Sequence, residues 1–135
     1  MFYVSKKIAR TAIISLLLVI GISFFVFAEY DRDRVVQVMR NNVALMGAIG
    51  DAAKSENWEL AAQKLFELAE GMIDVRQFDP PRGSKEDWDD TMTQFVSAAY
   101  RGIGACGARD SDGLQEAIGQ LLQLNRQGHG AHKTR

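Results

Sequence analysis

Apolar side chains recur at intervals of four and three residues in four separate stretches of this chain, and nothing else restricts its fold so strongly. The first series is Val35, Met39, Asn42, Met46, Ile49 and Ala53, with Asn42 its single polar member. The second is Trp58, Ala61, Leu65, Leu68 and Met72, and the third shares a face among Trp88, Met92, Phe95, Ala99, Ile103 and Cys106. The fourth is Leu114, Ile118, Leu121, Asn125, Gly128 and His132, with a neighbouring line of Ile118, Leu122, Asn125 and His129. That period puts one stripe on each helix, as in helices packed side by side. It predicts helices over about residues 31–54, 57–74, 84–108 and 111–133.

The stretches between them are short and carry helix signals. Lys54-Ser55-Glu56-Asn57 and Arg109-Asp110-Ser111-Asp112 hold N-cap residues and leave little chain for a crossover. Phe78-Asp79-Pro80-Pro81-Arg82-Gly83 cannot continue a helix, and Ser84 with Asp87 three residues on reads as a capping box. Short links make neighbouring helices antiparallel. The expected fold is all-α: an antiparallel up-down-up-down four-helix bundle in one domain, residues 29–135.

Residues 1–28 read differently. Lys6, Lys7 and Arg10 precede an uncharged run from Thr11 to Ala28 that ends Val26-Phe27-Ala28. This is the pattern of a secretory signal peptide cut after Ala28. The run also approaches the roughly 20 residues a membrane anchor needs. Both readings put the bundle outside the cytoplasm, in the periplasm, free or held at the inner membrane.

Composition narrows the function classes. Residues 29–135 hold 13 basic and 17 acidic side chains, a net charge of −4, with no basic patch to suit a nucleic acid. Mild acidity favours solubility and a basic protein partner. Cys106 is the single cysteine, so no intramolecular disulfide forms. No Ser/His/Asp set and no glycine-rich phosphate loop occurs, and the chain reads as a non-enzyme.

The fourth stripe changes character along its length. Leucine and isoleucine give way to Asn125, Gly128, His129 and His132, with Gly130 between the histidines. Glycine and histidine are weak helix formers. Either the helix frays there, or its face makes room for something other than side chains.

Asn125-Arg-Gln-Gly128-His129-Gly-Ala-His132-Lys133 is similar to the terminal Cys-x-x-Cys-His-x-x-aromatic-basic segment of the cytochrome c-prime family. Arg34-Val-Val-Gln-Val-Met39 resembles the Arg-x-x-x-x-Met start of its low-spin members. Phe78-Asp-Pro80-Pro81-Arg-Gly83-Ser84 resembles its Phe-Pro-x-Gly-Ser loop. The resemblance runs from about Arg32 to the end of the chain and implies a haem-binding, electron-transferring bundle. His129 stands at the proximal iron ligand and Met39 at the second. Asn125 and Gly128 stand where the thioether cysteines would be, so covalent attachment is chemically excluded. A b-type cytochrome of the same fold holds haem without thioethers, by a first-helix Met and a fourth-helix His. The resemblance therefore implies non-covalent b-type haem on Met39 and His129, with Asn125 and Gly128 beside it and His132 as a substitute ligand.

Other readings stand beside these. Met39 is core filler on its stripe. His129 favours a helix C-terminus as a cation. The His129/His132 pair makes a weak zinc or copper site. Trp88 and Phe95 line a haem cavity or are plain core, and Asn42 registers helices or touches a cofactor edge. The partners open to such a bundle are a redox protein and a second copy of the chain. The alternative function is a haem-free bundle of the same fold that acts through protein contacts in the periplasm.

Overall fold

The computed structural model describes residues 31–133. Among them the chain is all-helical, with α1 (Arg32–Lys54), α2 (Trp58–Arg76), α3 (Lys85–Ala108) and α4 (Ser111–His132) packed as a four-helix bundle. Residues 1–28, expected to be a signal peptide or anchor, lie outside the described residues. No described helix is long and apolar enough to cross a membrane.

Each helix begins on a side-chain oxygen. Asp31, Asn57, Ser84 and Asp110 accept from the backbone N–H three residues on, at 3.1, 3.3, 3.1 and 3.0 Å. Each such cap contributes about 1 kcal/mol. Two connections are built alike. Glu56 and Arg109 take left-handed φ angles of 54° and 53°. The next N–H groups, of Asn57 and Asp110, then donate back to Ala52 O and Ala105 O, both at 2.9 Å. The left-handed residue closes one helix and the one after it caps the next. A side chain in that conformation is strained, and glycine is not. Glu56→Gly and Arg109→Gly should each stabilise the fold by about 0.5–1 kcal/mol, read as a raised urea midpoint at unchanged slope.

Contacts between helices are specific. Arg34 donates from Nε and Nη2 to the two carboxylate oxygens of Asp74, at 2.7 and 3.0 Å. Those bonds push the Arg34 guanidinium pKa further up. Gly71 sits so close to Val38 that a Cβ there would lie 3.1 Å from its Cγ1. At Gly102 a Cβ would lie 2.9 Å from Leu65 Cδ1 and 3.4 Å from Ala117 Cβ, so α2, α3 and α4 meet over a missing side chain. Arg101 on α3 bonds Gln120 on α4, and Arg76 on α2 lies near Asp89 on α3.

The core is aliphatic at its centre. Ile49, Leu65, Leu68, Val75, Leu114 and Leu121 are fully enclosed. Trp88, Met92, Phe95 and Cys106 are buried beside them, and burial pushes the Cys106 thiol pKa up, away from thiolate chemistry. Asn42 is buried too, its Nδ2 donating to Met72 Sδ at 3.0 Å while Oδ1 has no partner. That bond ties α1 to α2, as a register residue would.

Two stripes are rotated from their expected positions. On α1 the buried line is Val35, Asn42, Leu45, Ile49, Ala52 and Ala53, and Met39 and Met46 are only half-buried. On α4 it is Leu114, Ala117, Leu121, Leu124 and His132, so Ile118 is half-buried and Asn125 exposed. The cause is common to both. α1 packs closely on α2 and α4 on α3, whereas α1 and α4 touch only lightly. Each outer helix turns its most apolar side toward its one close neighbour and leaves a flank half-covered.

Candidate functional site

The half-covered flanks carry the predicted ligands. On α1, Arg34, Val38 and Asn42 engage α2, and Met39, Val43 and Met46 lie along the adjacent flank of the helix. Met39 and Met46 pack against the edge of the core, and Val43 is 75% exposed. On α4, Ala117, Gln120 and Gly128 face Gly102, Arg101 and Thr91 of α3. Ile118, Leu122, Asn125 and His129 therefore line the side turned away from α3. Leu122 is 43% exposed, and Asn125 and His129 are exposed. Among the described residues the His129 ring has no hydrogen-bond partner.

The last turns of α4 do not fray. The helix runs through Gly128 and Gly130 to His132, with Lys133 N–H donating to His129 O at 3.3 Å. Gly128 is not at a cofactor cleft: a Cβ there would meet Thr91 Cγ2 at 3.6 Å, an ordinary packing contact with α3.

His132 has an environment unlike that of His129. It is 3% exposed, and its ring meets Trp88 edge-on, 5.3 Å between centroids at 90°. Its Nδ1 lies 2.9 Å from the carbonyl oxygen of Arg82. A carbonyl only accepts, so Nδ1 carries a proton and donates. The His132 Nε2 and the Trp88 indole N–H are both buried without partners. The sequence reading did not connect His132, Trp88 and Arg82. The only local hint was glycine at 83, one residue beyond the Pro80-Pro81-Arg82 run.

The donor chemistry of Met39 and His129 suits haem iron, since thioether and neutral imidazole are established axial ligands. The bundle interior beside them is filled. Trp88, Met92, Phe95, Leu124 and His132 are all buried at 5% exposure or less. The side chains on the α1 and α4 flanks, by contrast, are partly exposed. A depression of about 300 Å³ lined by Arg32, Asp33, Val36, Gln37 and Arg40 lies on α1 alone and includes neither ligand. Among the described residues no group of three or more His, Cys, Asp or Glu side chains could hold a metal ion.

The chain matches no protein-family model, no curated protein and no solved structure.

Proposed function

We propose that this chain is an exported four-helix bundle that binds b-type haem non-covalently in the seam between α1 and α4, with Met39 and His129 as axial ligands, and transfers electrons. The observation that carries the reading is the pair of flanks just described. Both residues lie on the flanks of α1 and α4 beside the faces that pack on α2 and α3, and α1 and α4 touch each other only lightly.

The contact pairs support an up-down-up-down order. Arg34 reaches Asp74, Arg76 lies near Asp89, and Trp88 meets His132, each joining the start of one helix to the end of another. In that order the start of α1 lies beside the end of α4. At 1.5 Å per residue, Met39 is about 10 Å inside α1 and His129 about 5 Å inside α4. Side chains on a helix lean toward its N-terminus. Met39 then leans toward the shared end and His129 away from it, which narrows the axial offset of about 5 Å between them. Haem supplies the redox chemistry. The protein supplies two ligands, an apolar trough of Val43, Met46, Ile118 and Leu122, and a potential raised by the thioether.

The test is a haemin titration of the full chain, followed by reduction and a visible spectrum. A sharp low-spin spectrum at one haem per chain is expected, and unchanged free-haem absorbance would overturn the reading. Mass spectrometry of the secreted protein decides cleavage after Ala28 against a retained anchor.

A second reading has its own observation. Phe66 and Ile73, each 49% exposed, stand seven residues apart on one side of α2. That apolar side favours a haem-free bundle acting through protein contacts. Absent haem uptake, combined with self-association lost in Phe66→Ser on sedimentation, would favour it.

A further inference from the structure

We infer that Arg82 and His132 form a reciprocal clasp that keeps the glycine-weakened end of α4 helical and so positions His129. The clasp has two bonds running in opposite directions. The Arg82 guanidinium donates through Nη2 to the carbonyl oxygen of Gly130 at 3.0 Å. The Arg82 carbonyl in turn accepts from His132 Nδ1 at 2.9 Å. One loop residue thereby holds two points of the final turn, one on its backbone and one on its side chain.

The surroundings are shaped to this contact. Gly83 has a φ of +82°, which an L side chain rarely adopts, and a Cβ there would lie 3.0 Å from His132 Nδ1. Glycine at 83 therefore serves both the turn and the approach of the ring. On the other side the ring is stopped by Trp88.

The clasp answers a local weakness. Gly128 and Gly130 each disfavour helix relative to alanine, and the last four carbonyls of any helix lack intrahelical donors. Gly130 O is one of those carbonyls, and Arg82 supplies its donor. His129 sits between the two glycines and contributes only an exposed ring. Its direction depends on the backbone on either side, so Arg82 and His132 are positioning residues for it. Only this last step rests on the haem reading; the clasp itself does not.

Amide hydrogen exchange on the full chain without haem tests the clasp. Arg82→Ala and Gly83→Ala should each speed exchange of the amides at 130–133 about tenfold, with those of α1 and α2 unchanged. Arg82→Lys should recover part of the protection, since an ammonium still reaches the Gly130 carbonyl. Unchanged protection in both alanine variants, or a loss spread evenly over the bundle, would overturn the clasp. The haem arm reads positioning separately. Arg82→Ala should release haem about tenfold faster than the unaltered protein while keeping the low-spin spectrum. An unchanged release rate would overturn the positioning role. If the unaltered protein takes up no haem, the proposed function fails and the exchange arm alone decides the clasp.

Discussion

His129→Ala should abolish the low-spin haem spectrum of this protein, and Met39→Leu should convert it to a high-spin one, with no loss of the bundle in either case. The two substitutions are chosen to separate ligation from folding. His129 is exposed and its ring has no protein partner among the described residues, so its removal should change stability by less than about 0.5 kcal/mol. Met39 packs against the core, and leucine keeps its volume while removing the sulfur, at a cost below about 1.5 kcal/mol. Far-ultraviolet circular dichroism should therefore be unchanged, while haem affinity falls by at least about a hundredfold for His129→Ala. His132→Gln gives the contrast. If His132 rather than His129 were the ligand, that change would remove the spectrum and His129→Ala would leave it intact. Retention of the full spectrum in both His129→Ala and Met39→Leu would exclude the proposed pair.

Trp88→Ala should be the most destabilising single change at this end of the bundle, by about 3–5 kcal/mol. The indole is 3% exposed and forms the surface against which the His132 ring stands. Its loss leaves a cavity that the fixed helices cannot close and frees one side of the clasp. Domains of this size are stable by about 5–15 kcal/mol in all, so the variant should sit near its unfolding threshold. Trp88→Phe should cost distinctly less. The smaller ring still fills much of the space, and the change removes an indole N–H that is buried with no acceptor. Urea titration of the two variants beside the unaltered chain checks both the size and the order. Equal losses would overturn the cavity account of Trp88.

The helices themselves were legible because their signals are local. Asp31, Asn57, Ser84 and Asp110 could be read as helix starts from neighbouring residues, and each accepts a backbone bond as a cap does. The stripes of α2 and α3 were also legible, since both helices pack on two close neighbours and bury a wide face. Those of α1 and α4 were legible in part: Val35, Asn42, Ile49, Ala53, Leu114, Leu121 and His132 are buried as expected. Leu45 and Leu124 are buried where the pattern favoured Met46 and Asn125. Periodicity gives the width of an apolar face but not which side of it meets a partner.

The candidate site was legible in its residues and not in their surroundings. Met39 and His129 were both singled out beforehand, and they lie on the loosely packed flanks of α1 and α4. In sequence His132 stood as a substitute for His129, three residues away on one helix. Three residues is most of a turn but not all of it, and that remainder carries His132 into the core and leaves His129 outside. The contact between His132 and Arg82 spans 50 residues, so no local pattern could announce it.

The sequence alone determined four helices, their caps and breaks, and the absence of any cysteine at 125 and 128, which excludes a thioether link to haem. These follow from backbone propensity, local hydrogen bonding and covalent chemistry, all contained within a few neighbouring residues. The tertiary structure decided that the bundle is closely packed along three seams and loose along the fourth. It also decided that His132 is locked beneath the proline loop while His129 faces outward. Those outcomes depend on how each helix rotates about its own axis, which is set by the neighbours that bury it.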